Sequence, residues 1–170
     1  MKTQIRIIAL VLFLTGISVS TFAQVSATAS ASATIVTPIA ISKTVDMNFG
    51  NVAVSTTAGT VIMTPAGIRT LTGGVTLPAT TGTVTAASFN VTGAANYTYA
   101  ITLPGSALTI TSGANTMTVS TFTSNPATTG TLSGTGSQTL NVGATLNVTA
   151  SQAAGTYTSA SPFTVTVNYN

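Results

Sequence analysis

The chain has 170 residues, 44% of them hydrophobic and only 3% charged, with no histidine and no cysteine. Four Lys and Arg stand against one carboxylate, for a formal net charge of +3. That inventory excludes thiol and disulfide chemistry, paired-carboxylate hydrolysis and histidine acid–base catalysis. It also leaves too few cations to neutralise a run of nucleic-acid phosphates and too few ligands for zinc or calcium. The chain is expected to be no enzyme and to use no cofactor.

The first residues read as an export leader. Lys2 and Arg6 flank the start, Ile7 to Leu14 is an apolar run, and Ser18 to Ala23 supplies small residues up to a cleavage point before Gln24. This is the layout of a secretory signal peptide over residues 1–23. The alternative is an uncleaved anchor, but Thr15, Ser18, Ser20 and Thr21 interrupt the run well short of the roughly 20 apolar residues a spanning helix needs. Cleavage removes two of the four basic residues and leaves Lys43, Arg69 and Asp46, so the sequence pI of 9.7 marks no basic patch. No later segment is long and apolar enough to span a bilayer. A single domain is expected over residues 24–170, exported through the periplasm to the cell surface or the medium.

Alternation is the main structural signal after the leader. Val25, Ala27, Ala29, Ala31, Ala33 and Ile35 point one way, and Ser26, Thr28, Ser30, Ser32 and Thr34 the other, which predicts a strand over 24–36. Further strands are predicted near 39–49, 58–63, 68–76, 84–92, 96–103, 107–111, 115–123 and 138–149. Turn residues separate them: Pro78, Pro104-Gly105, Ser112-Gly113 and Asn125-Pro126. Gly73-Gly74 falls inside a strand and predicts a bulge. Residues 124–137 read as a mobile loop. The last strand alternates Phe163, Val165, Val167 and Tyr169 with Thr164, Thr166 and Asn168. Threonine is β-branched and favours extended backbone, and its hydroxyl keeps one face wet without charge. Many short strands between Gly and Pro turns predict an all-β sandwich or barrel, and their uneven lengths favour a sandwich with Greek-key connections.

Few residues are candidates for chemistry. Asp46 lies near Lys43, and a salt bridge or strand-end hydrogen bond competes there with weak ion binding. A serine activated by Lys43 is conceivable, but no motif supports one. Tyr97 and Tyr99 share a strand face, as sheet packing or as a carbohydrate platform. Asn90, Asn96 and Asn147 each begin an N-glycosylation triplet, which chance produces easily in a Thr-rich chain.

Four stretches carry a resemblance: Ala33 to Ile41, Met47 to Asn51, Arg69 to Val75, and Gly155 to Tyr157 together with Phe163 to Asn170. Together they resemble a family of secreted Gram-negative bacterial proteins known only as a domain of unknown function. That family is distantly similar to fimbrial major subunits and spore-coat-U-type secreted pilus proteins. The resemblance implies an immunoglobulin-like β-sandwich and a place in a surface filament. In pilins the last strand ends on a penultimate aromatic with a Gly upstream, and Tyr169 and Gly155 match those places. Residues 24–36 match the position of a donor strand, which completes a neighbour's sheet. The chain departs from pilins in lacking a disulfide, and four of the six apolar positions in its candidate donor strand are Ala. Residues 24–36 therefore either donate to a neighbour or form the first strand of a self-complete domain.

The expected partners are further copies of this chain, as a homo-oligomer or filament, and a periplasmic chaperone. Three charges over about ten strands leave the sheet edges poorly guarded against pairing. The alternative is a monomeric surface module or adhesin that binds glycans.

Overall fold

The computed structural model describes residues 23–170; apart from Ala23, the expected leader lies outside them. The chain divides into two units, Met1–Thr34 and Ile35–Asn170, and every strand among the described residues belongs to the second. These strands are β1 (Ala40–Val45), β2 (Asn48–Phe49), β3 (Ala53–Met63), β4 (Arg69–Thr76), β5 (Val84–Thr85) and β6 (Ala87–Thr92), followed by β7 (Thr98–Thr102), β8 (Leu108–Ser112), β9 (Asn115–Asn125), β10 (Thr129–Thr131), β11 (Ser137–Val148) and β12 (Thr166–Tyr169). No helix occurs among the described residues, and no helix there is long and apolar enough to cross a membrane.

All pairings are antiparallel. The largest sheet runs β1-β6-β11-β3-β4, with β9 on β11 and β8 on β9; β10-β7-β12 and β2-β5 form smaller sheets. Strand β11 organises the first. It pairs β6 over Ser137–Val142, β3 over Ala144–Val148 and β9 over Asn141–Asn147. The β9 stretch overlaps both of the others, and one residue cannot pair two strands along the same edge. Thus β6 and β3 follow one another along one edge of β11, and β9 runs along the other. With two successive partners on one side, the sheet curls into a half-barrel.

The curl gives two apolar clusters. The first joins Ala87, Val91, Leu140 and Val142 of the large sheet to Tyr99 and Val167 of the three-stranded sheet, with Leu132 and Val165 between them. The second lines the far half of the large sheet with Val61, Val75, Val119, Ala144, Leu146 and Val148. Along β11, Leu140, Val142, Ala144, Leu146 and Val148 are all buried, as strict alternation requires.

Most predicted strands stand where alternation put them, with five differences. The run 39–49 breaks into β1 and β2, and 84–92 breaks into β5 and β6. Residues 124–137, expected as a mobile loop, contain β10, which pairs β7 through Thr129, Gly130 and Thr131. Gly130 belongs there because a Cβ would collide with the Tyr99 ring. Residues 24–36 form no strand within the chain, and residues 163–165 precede the short β12 rather than extending it. The irregularity expected at Gly73-Gly74 is present, but its extra residues lie on β3: four separate Val54 from Gly59 where Gly74 alone separates their partners Val75 and Gly73, and Gly73 has φ +64.

Tyr99 is fully buried, and its hydroxyl donates to Gln138 Oε1 at 2.7 Å. Burial pushes that hydroxyl's pKa above its ordinary value, so the neutral form is the one the fold accommodates. As pH rises past about 10, the unfolded chain releases the Tyr99 proton first and stability falls. With no histidine, the thermal midpoint is expected to stay flat between about pH 5 and 9 and to drop only above about 10. Tyr99→Phe removes the hydrogen bond to the half-buried Gln138 and is expected to cost about 0.5–1.5 kcal/mol in denaturant titrations. A midpoint that moves through the neutral range, or a neutral Tyr99→Phe, would contradict this assignment.

Candidate assembly site

The N-terminal candidates are fully on the surface. Residues 23–35 are exposed throughout, and Val25 and Ile35 keep 94% and 97% of their accessible area. Ala27, Ala29, Ala31 and Ala33 lie between them, also exposed and outside any ladder. This segment carries an alternating apolar face with no partner strand among the described residues.

The C-terminal candidates are already committed to the interior. Val165 and Val167 belong to the first core cluster. The Phe163 ring meets Phe89 edge-on at 6.4 Å and tilts against Phe122 at 5.0 Å. The Tyr169 hydroxyl accepts from the Ala94 amide at 2.6 Å and donates to the Thr37 carbonyl at 2.8 Å, tying the chain end to the segment before β1. Gly155 lies away from this cluster, against Ser112 at the end of β8.

The second apolar cluster is incompletely covered. An open groove of about 940 Å³ runs over it, with Leu108 and Ile110 of β8, Met117 and Val119 of β9, and Leu146 and Val148 of β11 on its floor. One rim is the irregular stretch 152–163; the other is 45–54. Leu108, Ile110, Met117, Phe49 and Val54 are only half-buried although they face inward.

Beside this groove the edge of β8 is nearly free. Ser112 and Asn115 close a two-residue hairpin loop whose first central residue, Gly113, has φ +58, as a type II′ turn requires. Thr111 exchanges both backbone hydrogen bonds with Thr158 of the rim, at 2.8 and 3.0 Å. Antiparallel alternation then turns the N–H and C=O of Thr109 to the same edge, where no other strand pairs β8.

Of the three charged residues among the described ones, Asp46 sits on the groove's second rim with Lys43 just before it, and Arg69 anchors that rim. Lys43 Nζ bonds both Asp46 oxygens, at 2.7 and 2.9 Å, in an exposed pair, worth little to stability. Arg69 Nη1 donates to the Phe49 carbonyl at 2.6 Å and to that of Asn51 at 3.3 Å, holding the rim against β4.

Other candidates take structural roles. Tyr99 is buried and Tyr97 packs edge-on against Tyr169 at 5.6 Å, so Tyr97 and Tyr99 form no open aromatic platform. The Asn147 amide is spent on Thr118 and Ser120 of β9. Among the described residues no cluster of three or more His, Cys, Asp or Glu exists. Sequence reasoning missed the groove, because Leu108, Ile110, Met117 and Val119 alternate as residues of a closed core do.

Fold and site together define an all-β domain with one closed core, one open apolar groove and an exposed N-terminal segment that pairs no strand among the described residues. Residues 39–169 match the family described as Domain of unknown function (DUF4402), and the chain belongs to that family. Comparison with curated proteins and with solved structures finds no match.

Arg69→Met is expected to release the 49–51 rim and lower stability by about 1.5–3 kcal/mol, the range for hydrogen bonds from a charged donor. Arg69→Lys, with its single ammonium, is expected to recover only part of that. A full-strength Arg69→Met protein in denaturant titrations would remove the rim role.

Proposed function

We propose that this protein is a secreted, non-catalytic structural subunit that builds a pilus-like or other cell-surface assembly through strand pairing between copies. The observation that carries this reading is the exposed, alternating segment Val25–Ile35, whose apolar face has no ladder partner among the described residues. An extended segment that adds to a sheet edge satisfies its backbone groups and buries alternate side chains in one step. The scarcity of charge supports the same reading. Monomeric β proteins guard their edges with Lys, Pro or bulges, and here one exposed Lys43–Asp46 pair and Arg69 are all the charge that follows the leader. Little long-range repulsion opposes association.

On this reading the half-barrel and the three-stranded sheet make up an immunoglobulin-like sandwich in the Greek-key sense. Export proceeds through the periplasm after removal of residues 1–23, and a periplasmic chaperone shields the apolar segment until subunits meet. The inventory of side chains supports a scaffold over an enzyme, since catalysis by proton transfer needs groups that titrate near neutral pH.

Deletion of residues 25–35 tests the reading. The full chain is expected to form oligomers or filaments in sedimentation velocity and electron microscopy, and the deletion protein to keep its β-sheet circular dichroism yet remain monomeric. A full chain that stays monomeric at high concentration, or a deletion protein that assembles unchanged, would sink it.

A further inference from the structure

We infer that the open groove beside β8, and not the flank of the C-terminal strand, receives residues 25–35 of a second copy of this chain. The inference rests on the strand-exchange reading above and specifies where the exchanged segment goes.

The C-terminal flank has little left to offer. Val165 and Val167 are already buried, and Phe163 is wedged between Phe89 and Phe122. An incoming strand there would find its apolar positions filled. The groove beside β8 is the opposite case. Its floor is apolar, its inward residues Leu108, Ile110 and Met117 stay half-exposed, and its volume is about 940 Å³. The adjoining edge offers the backbone N–H and C=O of Thr109, so floor and edge together supply what an added strand requires.

The chemistry of the groove also selects its occupant. Its only charged lining residues are Lys43 and Asp46, which neutralise each other at the rim. A charged partner would be desolvated without compensation. Residues 25–35 carry no charge, and their apolar positions are Ala between a terminal Val and Ile. In an added strand those short side chains turn onto the apolar floor, and the opposite Ser/Thr face stays in water. Thr111 is already bonded to Thr158, so the free edge of β8 is the stretch around Thr109, about 10 Å at roughly 3.3 Å per residue, and only part of the segment pairs with it.

The rim stretch 152–163 holds the edge through the single bridge between Thr111 and Thr158. One bridge is a weak hold, and it leaves the rest of the edge open.

The natural chain has no cysteine, so disulfide trapping reports this geometry without background. Full chains carrying Ala31→Cys are mixed with chains carrying Ile110→Cys on the groove floor, or with chains carrying Thr70→Cys on the exposed outer face of β4. Met117→Cys serves as a second floor position, in case Ile110→Cys disturbs the hairpin. Covalent dimers are expected from the groove mixtures at about ten-fold or more over the outer-face mixture, as high local concentration dictates. If the variants assemble but cross-link no better at the groove, this inference falls and the strand-exchange reading stands. If nothing assembles, both fall. A chain carrying Ala31→Cys and Ile110→Cys together is expected to give covalent ladders; a closed covalent monomer would place the segment in its own groove and overturn the exchange.

Discussion

Strand β11 changes neighbour at Gly143, and a Cβ there would run into the Met63 carbonyl oxygen. Only glycine lets the end of β3 come so close to β11 just where β6 leaves it. The rest of the architecture follows from that close approach. Two strands in succession along one edge of β11, with β9 along the other, force the sheet to curl, and the curl separates its concave face into two halves. The first half is closed by the three-stranded sheet. The second lies under the 152–163 stretch, whose only ladder contact with the sheet is one isolated bridge.

The two halves differ in how completely their side chains are used. In the first, Tyr99, Leu132, Leu140, Val91 and Val142 are sealed from water, and the one polar group at the centre, the Tyr99 hydroxyl, has its acceptor in Gln138. Among the described residues no buried side-chain nitrogen or oxygen lacks a hydrogen-bond partner. In the second half, residues of the same type on the same kind of strand remain half-exposed. Burying apolar area is worth about 25 cal/mol per Å², so this face is where further association gains most. The outer faces use Thr and Asn where other sheets use Lys and Glu. The Thr60 and Thr72 hydroxyls meet at 2.7 Å across β3 and β4, and Asn147 reaches Thr118 and Ser120. Such pairs satisfy the sheet surface but repel nothing.

Much of this was legible in the residues. The strand expected near 138–149 is β11, Ser112-Gly113 located the β8–β9 turn, and Gly73-Gly74 located the irregularity in β3–β4. Strand β10 was not legible, because Thr129-Gly130-Thr131 has no apolar alternation: Gly130 is there to admit the Tyr99 ring, a long-range contact with no local signature. The N-terminal strand was predicted from a sound local pattern, yet a strand also needs a partner edge, and nothing local supplies one. The same limit hid the groove. Ile110 and Met117 look like core residues in sequence, and whether something covers them depends on the path of residues 152–163. Family membership is likewise silent on function.

The central claim is that residues 25–35 are unpaired in the isolated chain and become paired strand on association. Amide hydrogen exchange, followed in the dilute monomer and again after assembly, tests it most directly. The amides of 25–35 are expected to exchange at unprotected rates in the monomer, while those of β11 are the slowest. On assembly, 25–35 and Thr109 are expected to gain protection together. Protection of 25–35 in the monomer, or assembly that leaves those amides as fast as before, would contradict the account.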